Sequence, residues 1–249
     1  MPEEYMKELN IIYEDRWLVV VEKPCGMLSI STGKGPEMTA CSILREIFGR
    51  VFIVHRLDRD TSGLLVFAKD EQTKFALQDN WNEAVLERKY TAILEGKIDS
   101  EEGYIETWLY ENPRSMKVHA YDIGPEDDPA RPPRRDWKYA SSHCRRLRSG
   151  MLDGNEYTMV EFSLETGRKN QIRVHSQWIG HPIAGDRKYG AQTDPISRLA
   201  LHAHTLTLIH PHTAKTLRFT SRLPKSFTRL KQERRLQDMT RKNTGLMDS

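Results

Sequence analysis

The stretch VFIVHRLDRDTSGLLVFA, residues 51–68, sets two apolar runs, Val51–Val54 and Leu64–Ala68, around nine residues that hold four formal charges and a histidine. Short runs rich in Val, Ile and Phe and bounded by turn residues read as buried strands. The segment is therefore predicted as strand–loop–strand, with His55–Gly63 fixed at both ends by the core and Thr61-Ser62-Gly63 supplying turn chemistry. A loop held in this way is a rigid platform for reactive side chains. The competing assignment is a hairpin turn with surface ion pairs, each worth about 0–1 kcal/mol. Asp58 separates the two. A carboxylate turned into a cleft needs a cation or several hydrogen-bond donors to stay ionised. Arg56 and Arg59 are the local candidates, and either could equally face a ligand phosphate.

Outward from this stretch, Ile11–Tyr13 and Trp17–Glu22 read as strands, and Lys23-Pro24-Cys25-Gly26 breaks the pattern. Residues 39–49 carry apolar side chains at helical spacing and end at Gly49. A second helix is predicted over 71–85 and a third near 169–179. Strands are predicted at Arg88–Gly96, Thr107–Tyr110, Tyr139–His143, Tyr157–Leu164, Leu199–Ile209 and Thr216–Ser221. Residues 111–136, with five prolines, read as a polar excursion. Many strands and few long helices predict an α+β chain: one catalytic domain on a mixed, largely antiparallel sheet with flanking helices. The expected boundaries are an N-terminal extension over 1–10, the domain over 11–221 and a basic tail over 222–249, either a polar amphipathic helix or disordered.

Composition excludes several classes. The 249 residues can bury a substantial core. No apolar stretch nears the roughly 18 residues that span a membrane, and the opening MPEEYMKELN is unlike a secretory signal. Three widely spaced cysteines give neither a disulfide framework nor a metal knuckle, so the cytoplasm is the expected location. Net charge is only +3, but residues 131–148 hold seven Arg or Lys against one acid, with Trp137 and Tyr139 among them. Basic side chains interleaved with aromatics suit phosphate contact and base stacking; a solvated loop reads equally well. Protein kinases share an HRD triplet, but here Leu57 separates Arg56 from Asp58 and no Gly-rich loop or DFG follows. His202, His204, His210 and His212 lack a supporting Cys or carboxylate cluster, so no metal is expected.

The nine residues His55–Gly63 match the HRLDxxTSG signature of the RluA-like family of RNA pseudouridine synthases, and other segments support the resemblance in order. Lys23-Pro24-Cys25-Gly26 is similar to KPxG, Glu87–Ala92 to ERKYxA, and Glu165–His175 to ETGRxxQIRxH. His181–Asp186 with Tyr189-Gly190 resembles HPIxGDxxYG, and Arg198–Ala203 resembles RLxLHA. The likeness covers about residues 11–221. Asn170 stands where many members carry histidine, and no S4-type RNA-binding domain is expected ahead of the catalytic one.

The resemblance implies a cofactor-free isomerase. It would break the N-glycosidic bond of a uridine in structured RNA, ribosomal or transfer, and rejoin the ribose to C5 of the rotated uracil. Asp58 is implied as the essential carboxylate, either attacking ribose C1′ or removing the C2′ proton, with Arg173 as its cationic partner. Tyr90 is implied to stack on the uracil and take the C5 proton. Leu201 is expected to wall the pocket. The target must leave its stack, and Arg56 is the candidate to fill the gap. Lys23, Arg88 and Arg168 are further candidate RNA contacts, and a monomer is expected. The alternative is a catalytically silent RNA-binding module on the same fold. The set Asp58, Tyr90 and Arg173 argues against it, since a binder has no need for a carboxylate near anionic RNA. A nucleotide hydrolase would need a phosphate loop, which is missing.

Overall fold

In the computed structural model, which describes residues 9–33 and 37–230, the run after the charged loop becomes strand β4 (Ser62–Ala68), buried along its whole length. The other strands are β1 (Asn10–Glu14), β2 (Leu18–Lys23), β3 (Phe52–Ile53), β5 (Val85–Glu95), β6 (Glu102–Glu111), β7 (Val118–Tyr121), β8 (Lys138–Leu152), β9 (Asn155–Leu164), β10 (Leu201–Ile209) and β11 (Thr216–Thr220). They form one sheet in the order β1-β2-β4-β10-β5-β9-β8-β6-β7, with β11 beside β10 and β3 beside β4. The β4–β10 pair is parallel and the other pairs are antiparallel, the mixed sheet expected. Helices α1 (Ala40–Phe48), α2 (Glu71–Asp79), α3 (Trp81–Ala84) and α4 (Gln171–Trp178) flank it.

One edge of β4 pairs with β2 throughout, while the other is divided. There β10 takes Ser62 and Gly63, and β3 takes Phe67 and Ala68. Between them, the Val66 N–H donates to His55 Nε2 at 3.1 Å, so the first residue of the charged motif completes the ladder. This division also corrects the expected core strand at Val51–Val54, which pairs over two residues only. Thr61-Ser62-Gly63 is corrected as well. Thr61 N donates to the Asp58 carbonyl, as a turn should, but Ser62 and Gly63 already belong to β4. Gly63 has φ +118°, and a Cβ there would lie 2.1 Å from the Ala203 carbonyl oxygen of β10. Only glycine permits that approach.

The remaining differences have local causes. The predicted helix over 71–85 breaks after Asp79, and β5 begins at Val85. The excursion over 111–136 contains β7, an edge strand on β6. The strand predicted at Tyr139–His143 runs on to Leu152, because Asp153-Gly154, both with positive φ, turns it directly into β9. Residues 222–230 do not leave the domain at 221, since Phe227 and Leu230 are buried in the core. The N-terminal extension up to residue 8 and the tail from 231 lie outside the described residues.

Several histidines sit in this core uncharged. Burial pushes His175 down to about 4 and His202 down to about 3; burial and then the Arg88 charge push His55 down to about 3. Unfolded, each titrates near 6.5. The unfolded chain therefore binds more protons between about pH 6.5 and the native values, so stability is full above 6.5 and falls as the pH drops. We expect the unfolding free energy from urea titration to decline from pH 6.5 downward, by about 1 kcal/mol per histidine over the first unit. A flat profile down to pH 5 would contradict this.

Candidate active site

The loop between β3 and β4 is tied down at four successive carbonyls, Leu57 to Asp60. Ser29 Oγ donates to Leu57 O at 2.9 Å, and Leu57 N donates back to Ser29 Oγ at 3.1 Å. Arg59 O accepts from Gly26 N at 3.0 Å and from Lys23 Nζ at 2.9 Å. Cys25 Sγ donates to Asp60 O at 3.0 Å, and Arg59 Nε donates to Gly26 O at 3.0 Å. The KPCG segment at the end of β2 is thus the clasp that holds Asp58 in place. Here the structure corrects one expectation: Lys23 is not exposed to RNA. It is 0% exposed, and its ammonium donates to Pro24, Met27 and Arg59 carbonyls, leaving no proton for a phosphate. Burial pushes its pKa down to about 8.

Opposite Asp58 stands the start of α4. Gln171 anchors it: its Oε1 accepts from Thr166 Oγ1 and Arg168 N, and its Nε2 donates to Ser141 O and Ser142 Oγ. Arg173 then projects into the cleft. Its Nε and Nη2 donate to the two oxygens of Asp186 at 2.7 Å each, a bidentate pair. Its Nη1 reaches Asp58 Oδ2 at 3.3 Å. Burial alone would lower the Arg173 pKa, but Asp186 and then Asp58 hold it above its usual value, so it stays a cation. Asn170, left-handed at φ 54°, completes the group. Its amide, oriented by its neighbours, donates to Asp58 Oδ2 at 2.7 Å and accepts from the Tyr189 hydroxyl at 3.0 Å. Asp58 therefore has a cation and a neutral donor on one side and stays open on the other.

The open side faces a cavity of about 210 Å³ lined by Arg56, Asp58, Tyr90, Arg168, Arg173 and Leu201 among others. Tyr90 lies at the seam between two core clusters, on β5 between β10 and β9. Burial raises its pKa; Arg88 opposes this and Asp58 adds to it, so its hydroxyl is neutral. Leu201, buried on β10, forms an apolar wall. Arg56 and Arg168 are exposed at the mouth, Arg168 with Nε on the Tyr139 carbonyl at 2.9 Å. Arg88 does not line the cavity. It lies behind the β9–α4 turn, donating to the Leu164 and Glu165 carbonyls at 3.3 Å.

The basic stretch divides. Arg145 and Arg146 pair within β8's surroundings, with Glu161 at 2.9 Å and Glu101 at 3.7 Å. Residues 131–136 precede the strand and are exposed. The four C-terminal histidines take separate partners: His202 lies between Ser62 and Ser221, His204 meets Glu161, His210 meets Asp15 and His212 meets Thr73.

Sequence reasoning missed Asp186 and Tyr189, although both lie in the GDxxYG segment. Asp186 is 2% exposed, and a buried acid at that position requires a cation. Its spacing of three from Tyr189 puts both beside Arg173, which lies 5.0 Å over the Tyr189 ring.

Comparison with known proteins settles the class. The family described as RNA pseudouridylate synthase matches residues 17–178. The chain belongs to that family. An uncharacterized RNA pseudouridine synthase of Bacillus subtilis is 35% identical over 90% of this chain and 72% of its own. Ribosomal large subunit pseudouridine synthase D of Nitrosomonas europaea is 33% identical over 90% of this chain and 64% of its own. The fold matches human RNA pseudouridylate synthase domain containing 1, with a TM-score of 0.71 at 24% identity over 97% and 96% of the two chains. As a pseudouridine synthase, the protein acts on RNA and isomerises uridine. No helix among the described residues is long and apolar enough to cross a membrane.

Proposed function

We propose that Asp58 is the carboxylate on which this isomerisation turns, acting on the ribose of a uridine flipped out of structured RNA. One observation supports this most directly: Asp58 and Arg173, 115 residues apart in the chain, meet at the floor of the cavity that Tyr90 also lines. Arg173 and Asn170 orient the carboxylate, and the confined site replaces its water shell with fixed donors. This serves equally an attack on C1′ and proton removal from C2′. Tyr90 stacks on the uracil, and Leu201 closes the apolar side. Once the new bond has formed, the neutral Tyr90 hydroxyl relays the C5 proton, taking it while its own O–H proton passes to the freed Asp58 carboxylate or to water. Arg56 fills the gap left by the flipped base, and Arg168 meets the adjacent phosphate.

The substrate is structured RNA, ribosomal or transfer, and the name of the Nitrosomonas relative favours the ribosomal class. The cysteines at 25, 41 and 144 are unpaired, which supports action in the reducing cytoplasm. The reading needs no second subunit, and we take the protein to act as a monomer.

Deleting the gene and mapping pseudouridine across ribosomal and transfer RNA tests the reading. One or a few sites should vanish, and an unaltered map in both would overturn it. Tyr90→Phe keeps the ring and removes the hydroxyl. Its single-turnover rate should fall about 10²-fold with RNA affinity unchanged; a full rate would leave the proton with another group.

A further inference from the structure

The excursion between β7 and β8 contains none of the short motifs quoted above. It must cross β6, because β7 and β8 lie on the same side of the sheet order beyond β9 with β6 between them, a step of about 10 Å. Its two ends meet above the sheet. Tyr121, the last residue of β7, and Trp137, just before β8, stack with ring centroids 4.4 Å apart and 20° between planes. A turn closed by Trp137 N on Arg134 O at 3.0 Å sets the Arg134 guanidinium over the Trp137 ring, 5.2 Å from its centroid. Asp127 fixes the excursion from below, accepting from Trp108 Nε1 at 2.8 Å and Gly124 N at 2.9 Å.

This stack is not core. Tyr121 is 38% exposed on an edge strand, and Arg134 and Arg135 are exposed. Asp128 is engaged by Arg131 at 3.9 Å and Asp127 by Trp108, so the nearest upstream acids are occupied. An open aromatic face beside guanidinium groups is the chemistry that holds an unpaired base and its phosphate. The position fits as well. Arg168, at the cavity mouth, donates to the carbonyl of Tyr139, two residues and about 7 Å along the strand from Trp137.

We propose that the Arg134–Trp137–Tyr121 stack is a second RNA-contact surface, which holds an unpaired nucleotide of the substrate beside the one undergoing isomerisation. It deepens the reading of the Asp58 pocket and rests on it for the point at which RNA enters. Asp122, Glu126 and Asp136 also lie in or beside the excursion, so stacking rather than bulk charge does the holding. The surface therefore prefers single strands to duplex.

The test is fluorescence anisotropy with a labelled mixed-sequence single-stranded RNA and with the matching duplex, at fixed salt. Tyr121→Leu keeps an apolar side chain on the edge strand and removes the flat ring. Its affinity for the single strand should fall about tenfold, as expected for one lost stack. Tyr121→Phe should bind as wild type, and duplex affinity should not change in either variant. Arg134→Ala, on a solvent-exposed turn, should weaken single-strand binding and lower the salt slope by about one. Unchanged single-strand binding in both Tyr121→Leu and Arg134→Ala overturns the proposal, including the case in which this face serves a protein partner. Equal losses on single strand and duplex overturn it too. Failure of the pocket reading looks different: wild-type protein would then bind these RNAs normally while Asp58→Asn kept full activity.

Discussion

Asp58→Asn leaves a folded protein that binds RNA and makes no measurable pseudouridine, a loss of at least about 10⁴-fold, the upper end for a positioned proton-transfer group. The substitution preserves shape. An amide oxygen at the Oδ2 position still accepts from Asn170 and from Arg173, which keep distances of 2.7 and 3.3 Å to the native carboxylate. Arg173 also retains its two 2.7 Å bonds to Asp186, so no buried cation is orphaned. Only the negative charge and the basic lone pair are lost, and both proposed roles of Asp58 require them. Nucleoside analysis of RNA incubated with the variant, beside a binding isotherm, checks both halves. An Asn variant within tenfold of wild type would remove Asp58 from the chemistry.

Arg173→Met fails in a different way. The guanidinium joins Asp58 to Asp186, and the Asp186 side chain is 1% exposed with no route to water. Removing the cation strands that carboxylate, and a buried pair broken from one side costs about 3–5 kcal/mol. Stability and turnover therefore fall together, turnover by about 10²–10³-fold for the loss of one preorganised donor. Arg173→Lys separates the two effects. A lysine restores charge near Asp186 but cannot serve both carboxylates with a planar fork. It should recover most of the stability and little of the rate. Full recovery of the rate by lysine would mean that charge suffices and the fork geometry is irrelevant.

The sheet was legible in the sequence where period and punctuation were strong. Strand β4 needed no alternation of apolar and polar residues, since an unbroken apolar run bounded by Gly63 and Lys69 already marked a strand buried on both faces. The site was legible only through segments whose spacing a single chain cannot relate: nothing local to Asp58 indicates Arg173, 115 residues away. Lys23 was misjudged because a lysine is nearly always exposed, and only the fold reveals three carbonyls converging on its ammonium. The length of β8 was within reach, because Asp153-Gly154 is a strong two-residue hairpin signal. Asp186 was not, since its burial depends on how α4 packs.

The divided edge of β4 has a consequence for sequence length. Most surface loops tolerate an added residue at small entropic cost. Here residues 54–61 run from β3 back into β4, the strand on which β3 is docked, with His55 hooked to Val66 and Gly63 seated against β10. The segment is a span of fixed count rather than a loop with slack. One residue more or fewer would unhook His55 or pull Gly63 off the Ala203 carbonyl, and either would turn Asp58 away from Arg173. Insertions should therefore be excluded from this octet even where the fold would survive them.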